Sequence, residues 1–163
     1  MDVFEVIEKR ASVRQFGPVE VSDADLEKIL DAGRRAPSGK NLQPLSYVVI
    51  RSKKTLEQLS RCQGCIGDAS AAVCIVADPE ASEYWLEDAS AAAENMLLAL
   101  KALGYDSVWI EGTLRRQEGF AKELLGIPAK SRLIIVLPIG KAAGASEQAQ
   151  KKPLEQLVHW EKW

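Results

Sequence analysis

Several short stretches of this 163-residue chain carry side chains whose types and spacing could do chemistry. In Arg10-Ala11-Ser12-Val13-Arg14 two guanidinium groups and a hydroxyl fall on alternate residues. An extended backbone would project all three to one side, a plausible cradle for a phosphate. The same triplet would also serve as a solvated basic turn. In the loop from Ala36 to Pro44, Asn41 and Gln43 offer amides that donate and accept, between prolines Pro37 and Pro44 that restrain the backbone. Such a loop can read the polar edge of a heterocycle, or can be a turn selected only for proline and glycine geometry. Glu111-Gly112-Thr113 follows an apolar run, so its backbone N–H groups stand free and the glycine permits close approach of a flat ligand. Lys151-Lys152 could complete a phosphate site or solvate a linker. Cys62-x-x-Cys65 could be a thiol redox pair or half of a zinc site, although only Cys74 and His159 remain as further soft ligands.

Helices and strands must hold these groups in place. Asp2 with Glu5 has the spacing of a capped helix start, and the helix so begun ends near Arg10. Ser22 with Asp25 repeats the capping-box pattern for a helix that stops before Pro37, leaving Pro37 to Asn41 as loop. Ser46 to Ile50 and Ala71 to Ala77 read as buried strands, with a short helix around Leu56 and Leu59 between them. Apolar residues then recur at helical spacing from Ser82 to Leu103, with an alanine-rich face suited to close packing and Gly104 as its stop. A third strand is predicted at Ser107 to Ile110, a helix at Gln117 to Leu125 and a fourth strand at Arg132 to Pro138. This alternation describes a layered α/β domain. The segment 141–163 begins with small and polar residues and ends in Leu157, Val158, Trp160 and Trp163, the pattern of an arm that docks.

Composition narrows the function classes. The charge balance of 21 basic against 23 acidic residues gives −2, so no global positive field draws the chain to nucleic acid or to an anionic membrane. No apolar run reaches membrane-spanning length and the N-terminus lacks a basic, then apolar leader, so the expectation is a cytoplasmic protein. An odd number of cysteines favours a reducing compartment.

The order of the motifs identifies a resemblance. From Arg10-x-Ser12-x-Arg14-x-Phe16, through Pro37-Ser38-x-x-Asn41-x-Gln43-Pro44, Asp88 to Leu98 and Gly104-Tyr-x-Ser-Val-Trp109, to Lys152-Pro-Leu-Glu-x-Leu-Val-His-Trp160, the chain resembles the FMN-dependent nitroreductase family over nearly its whole length. That resemblance implies an α+β fold of three layers, a mixed and largely antiparallel sheet of four or five strands flanked by helices, as a single domain over residues 1–163. It implies bound FMN, NADH or NADPH as electron donor, and hydride transfer through flavin N5 to a small acceptor such as a nitro compound or quinone, by a ping-pong mechanism. Arg10 and Ser12 match residues that hold the FMN phosphate, and Arg14 one near the phosphate or the pyrimidine edge. Pro37, Ser38 and Asn41 match contacts to the ring and ribityl chain, and Lys151 or Lys152 a further phosphate contact. Glu111 and Gly112 match the segment whose main chain hydrogen-bonds N5, so no side chain need act as acid or base.

The resemblance further implies an intertwined homodimer with flavin sites built from both chains, the arm 141–163 lying on the partner. Departures from the family pattern are also visible. The common Gln-Pro-Trp appears as Gln43-Pro44-Leu45, and little separates the second strand from the long helix. The expectation is an open acceptor pocket lined by Leu45 and by Tyr84 or Trp85. Two other readings stand beside the enzyme: a flavin-binding sensor or store without turnover, and a thiol or metal module built on Cys62 and Cys65.

Overall fold

Two side-chain caps set the first helices of the computed structural model, which describes residues 1–163. The Asp2 carboxylate accepts from the N–H groups of Phe4 and Glu5 at 2.8 and 3.0 Å, Glu5 reaches back to the Asp2 N–H at 3.2 Å, and α1 runs over Val3–Lys9. Ser22 accepts from the Asp25 N–H at 3.1 Å to open α2, Asp23–Arg34. The reciprocal half of that second capping box is missing, because the Asp25 carboxylate is taken by Lys28 and by the Tyr105 hydroxyl, each at 3.0 Å. Each cap stabilises its helix by about 1 kcal/mol.

The sheet comprises β1 (Phe16–Gly17), β2 (Leu45–Ile50), β3 (Ala71–Ala77), β4 (Asp106–Ser107) and β5 (Arg132–Ala142). Its order is β1-β5-β3-β2, with β4 also paired to β5, and every ladder is antiparallel. A single parallel bridge, Ser12 to Ser107, makes the sheet mixed. The unbroken apolar run of β3 is explained by cover on both faces. Ala72, Cys74 and Val76 meet Leu56 and Leu59 of α3 (Lys53–Leu59), Leu114 of α5 (Gly112–Arg115) and Ala121 of α6 (Glu118–Leu125). Ala71, Val73, Ile75 and Ala77 meet Leu26 and Ile29 of α2, and Ala89, Ala93, Met96 and Leu100 of α4 (Trp85–Ala102). Helices, sheet and helices thus form three layers.

Sequence periodicity places β5 and the third predicted strand correctly in space but not in extent. β5 continues past Pro138 to Ala142, and Ser107 to Ile110 is not a continuous strand. Pairing with β1 carries β5 to Ala142, and one residue accounts for the break in the other strand. Asp106 pairs with Gly140, Ser107 with Ile139, and Ile110 with Val136, so a constant register sets Pro138 opposite Val108. Val136 exchanges both backbone bonds with Ile110, at 3.0 and 3.1 Å, so Pro138, two residues on, turns its ring nitrogen to the same side. Proline has no N–H to donate there, and the ladder breaks at that rung alone.

The alanine face of α4 is spent inside the chain: Ala89, Ala92 and Ala93 are fully buried, and α2 approaches so closely that a Cβ on Gly33 would lie 2.1 Å from Met96 Cε. The helix starts at Trp85, three residues after Ser82, because the Ser82 hydroxyl accepts from the Tyr84 N–H at 3.0 Å in a turn that precedes it. The C-terminal segment behaves differently. Residues 151–163 are all exposed, carry only the turn Leu154–Gln156, and include Trp160 and Trp163 at 87% and 101% exposure. A bond from Gln148 Nε2 to the Ile7 carbonyl at 2.7 Å ties the root of this arm to α1. No helix is long and apolar enough to cross a membrane.

Candidate active site

After α1 the backbone turns extended at Arg10 (φ −66°, ψ 122°) and runs beside β4, where the Val13 N–H donates to the Ser107 carbonyl at 2.9 Å. Alternation follows. Ala11 and Val13 are buried, Ser12 and Arg14 are exposed, and Arg10 is half-buried. Ser12 and Arg14 border a hollow of about 390 Å³ whose opposite wall is the chain beyond β5, including Gly144 and Ser146. Arg10 Nε lies 3.8 Å from Glu94, and Arg14 takes part in no ion pair. Behind Ser12, the Ser107 hydroxyl is buried without a partner.

Asp106 fixes that wall. Its Oδ2 accepts from the Ala142 N–H at 2.9 Å and its Oδ1 from Lys101 at 2.9 Å. Burial pushes this carboxyl up, but the Ala142 N–H and the Lys101 and Lys141 charges outweigh it and hold the group below the ordinary carboxylate range. A folded-state value below the unfolded one contributes stability above about pH 4 that disappears as pH falls through the depressed value. Asp106→Asn should therefore cost about 1–3 kcal/mol at pH 7 and flatten the acid limb of the stability profile. Urea unfolding between pH 7 and pH 3 checks this; acid limbs that stay parallel in variant and parent would contradict it.

The second constellation is the loop between α2 and β2. Lys40, Asn41 and Gln43 all have positive φ, at 52°, 57° and 50°, a conformation costing non-glycine residues of order 1 kcal/mol each. Side chains hold it there. The Gly39 N–H donates to Asp88 Oδ1 at 2.8 Å, the Gln43 N–H to Ser38 Oγ at 3.1 Å, and the Gln43 amide to the Asn41 carbonyl at 3.3 Å. Pro37, Ser38, Gln43, Leu45 and Asp88 border a hollow of about 180 Å³. Asn41 lies exposed beyond it, and Tyr84 packs under Gly39 instead of lining it.

The third constellation lies past the Ile110 bridge. Gly112 opens α5, is exposed, and has nothing within 4 Å of where a Cβ would stand, so the chain's own packing does not demand a glycine. The Glu111 carboxylate accepts from the Trp109 indole at 3.4 Å and pairs with Arg115. Glu111 and Trp85 share a hollow of about 300 Å³ with Arg132, whose guanidinium stands 5.6 Å from the Trp85 ring. Lys151 and Lys152 sit on the exposed arm and border none of these hollows. A single chain therefore keeps the three constellations in separate hollows.

Cys62, Cys65 and Cys74 are all free and buried. Burial pushes each thiol up, that of Cys74 to about 12, the reverse of what a nucleophilic or redox thiol needs. Cys62→Ser should leave turnover within about twofold, since no reacting thiolate is lost. Complete loss of activity with flavin still bound would restore the thiol reading.

A three-layer domain with an antiparallel sheet, a basic segment against an open hollow and an unneeded glycine at a strand exit has the makings of an oxidoreductase built around a flat, phosphate-bearing cofactor. The chain belongs to the Nitroreductase family, whose model matches residues 7–63 and 60–141. It is 36% identical over 173 aligned residues to a protein of Archaeoglobus fulgidus provisionally named NADH dehydrogenase/NAD(P)H nitroreductase, covering 99% of each chain. A solved structure from Bacteroides thetaiotaomicron with the same provisional name superposes with a TM-score of 0.92 at 27% identity, covering 99% of this chain and 98% of that one. An FMN-dependent nitroreductase of Clostridium difficile superposes with a TM-score of 0.89 at 29% identity, covering 98% and 99%. The resemblance read from the motifs holds, as does the fold it implied.

Asp88, which borders the loop's hollow, was not among the candidate residues of the sequence. Its signal was there: a carboxylate between Trp85 and the alanines Ala89 and Ala92, inside the helix's apolar stripe.

Proposed function

We propose that this chain is an FMN-dependent oxidoreductase that takes a hydride from NADH or NADPH and delivers it to a small acceptor, such as a nitro compound or a quinone, in a ping-pong sequence. The observation that carries the reading is Ser12 and Arg14 exposed beside an open hollow, Arg14 in no ion pair, with the half-buried Arg10 two residues before Ser12. The residues fit the group: two forked cations and a hydroxyl suit a phosphate dianion, and Gly112 leaves room that no atom of the chain fills. FMN, when bound, supplies the hydride-carrying chemistry that no side chain here offers.

The protein's part is to bind, orient and cover. Arg10, Ser12 and Arg14 would hold the phosphate, joined by Lys151 or Lys152 of the arm. Arg14's charge also favours negative charge on the pyrimidine edge. Pro37, Ser38 and Asn41 would support the ring and ribityl chain, and the Glu111 and Gly112 main chain would set the N5 edge. Leu45 and Trp85 are assigned to the acceptor side, whereas Tyr84, packed under Gly39, supports the loop and not the pocket.

Separate hollows on one chain support a site completed by a second copy, one chain giving the phosphate cradle and the other the strained loop. The exposed Leu154, Leu157, Trp160 and Trp163 of the arm, with Val3, Phe4 and Ile7 on α1, support a homodimer in which the arm wraps the partner. Free, buried thiols support a cytoplasmic setting. The absorbance spectrum of the purified protein tests the cofactor. Bands near those of free flavin, with one FMN per chain after reconstitution, are expected; protein that remains colourless in excess FMN would overturn the proposal.

A further inference from the structure

Asp88 stands at the start of α4, is 4% exposed, and has no part in the cradle or the strand exit described above. One of its oxygens accepts from the Gly39 N–H at 2.8 Å, while Oδ2 is buried without any partner. A buried carboxylate oxygen without a partner is costly, and this one borders the hollow of the loop, so the residue is not there for stability alone. Helix position offsets part of that cost, since an acid in the first turn faces the positive end of the α4 dipole.

The same short stretch grips the loop at other points. Tyr84 lies against Gly39 so closely that a Cβ there would stand 2.2 Å from the ring, and Lys40 pairs with Glu83 at 3.1 Å. Beyond Gly39 the backbone passes through three left-handed residues, Lys40, Asn41 and Gln43, which need outside support to persist. Asp88 provides a part-buried, charge-assisted bond from α4 to that turn.

We infer that Asp88 is a positioning residue for cofactor binding: its carboxylate, through the Gly39 N–H, locks the strained Ser38–Gln43 turn in the shape that meets the isoalloxazine ring and ribityl chain. This rests on the proposed FMN site. It differs from the phosphate cradle in which part of the ligand it serves.

Binding constants for FMN and for riboflavin, which lacks the phosphate, separate the two. With Asp88→Ala both ligands should bind about 10- to 100-fold more weakly, by the same factor, because a bond to a charged acceptor is lost on the ring side. Asp88→Asn keeps an oxygen for the Gly39 N–H and should stay within about threefold of the parent. Amide exchange in the cofactor-free protein gives a second readout: the Gly39 and Gln43 N–H groups should exchange faster in Asp88→Ala, while those of β3 do not change. Unchanged riboflavin binding in Asp88→Ala, or an Asp88→Asn variant as impaired as Asp88→Ala, would overturn the inference. Should Asp88→Ala not fold, the Asn comparison and the exchange of Gly39 in the parent decide; a Gly39 N–H that exchanges as fast as free backbone overturns it. Failure of the parent protein to bind either flavin would instead remove the FMN reading on which the inference rests.

Discussion

Replacing Arg10 and Arg14 together by Ala should yield a folded protein that purifies without colour. Each guanidinium contributes charge-assisted hydrogen bonds to a phosphate, worth about 1.5–3 kcal/mol apiece. Losing both weakens FMN by roughly 10² to 10⁴-fold. Folding is spared, because both side chains point away from the core that Ala11 and Val13 enter, and Arg10's ion pair with Glu94 is long and half exposed. The variant's unfolding transition should match that of cofactor-free parent. Riboflavin binding, which needs no phosphate contact, should be nearly unaffected. Flavin content equal to the parent's would remove the cradle from the account.

The second large effect is expected from truncation after Ala149. The arm beyond it makes no apolar contact with its own core, and its root is held by Gln148. Leu154, Leu157, Val158, Trp160 and Trp163 would each contribute about 1.5–3 kcal/mol on full burial against a partner. That sum, of order 10 kcal/mol, is comparable to the entropy lost on association. Without it the dimer dissociation constant should rise by at least about a thousandfold, and flavin should leave with the partner's half of the site. Sedimentation or light scattering at micromolar concentration reads the first effect, and absorbance after gel filtration the second. A truncated protein that remains a yellow dimer would show that the arm is dispensable and that the interface lies elsewhere.

Much of this fold was legible because its elements announce themselves locally. Asp2 and Ser22 cap helices, Gly104 and Gly126 end them at φ 87° and 66°, and the β3 run is apolar throughout because both faces are covered. Features that depend on what lies across the sheet were not legible. β1 is two residues long and exists because Phe16 and Gly17 find Ala142 and Lys141. The gap at Val108 exists because Pro138, thirty residues later in the chain, lands opposite it.

The site divided in the same way. Alternation along Ala11 to Arg14 is a property of extended backbone, so Ser12 and Arg14 face out as the spacing foretold, while Arg10 lies half-buried. Asp88 stands out in the sequence only as a carboxylate in an apolar stripe, which does not say what it binds. Its meaning comes from Gly39, forty-nine residues away. The alanine face of α4 was legible as a close-packing surface, but not what packs on it. Ala89, Ala92 and Ala93 are buried within the chain, where Ala89 and Ala93 share a core with α2 and the sheet.

An anaerobic titration with NADH and with NADPH tests the central claim most directly. Mixed with either donor in the absence of oxygen, the yellow protein should lose its blue absorption band in proportion to donor added, one equivalent per flavin. Adding a quinone or nitro compound should restore the band. A band that neither donor bleaches would mean that the chain binds flavin without turning over, and the oxidoreductase account would be contradicted.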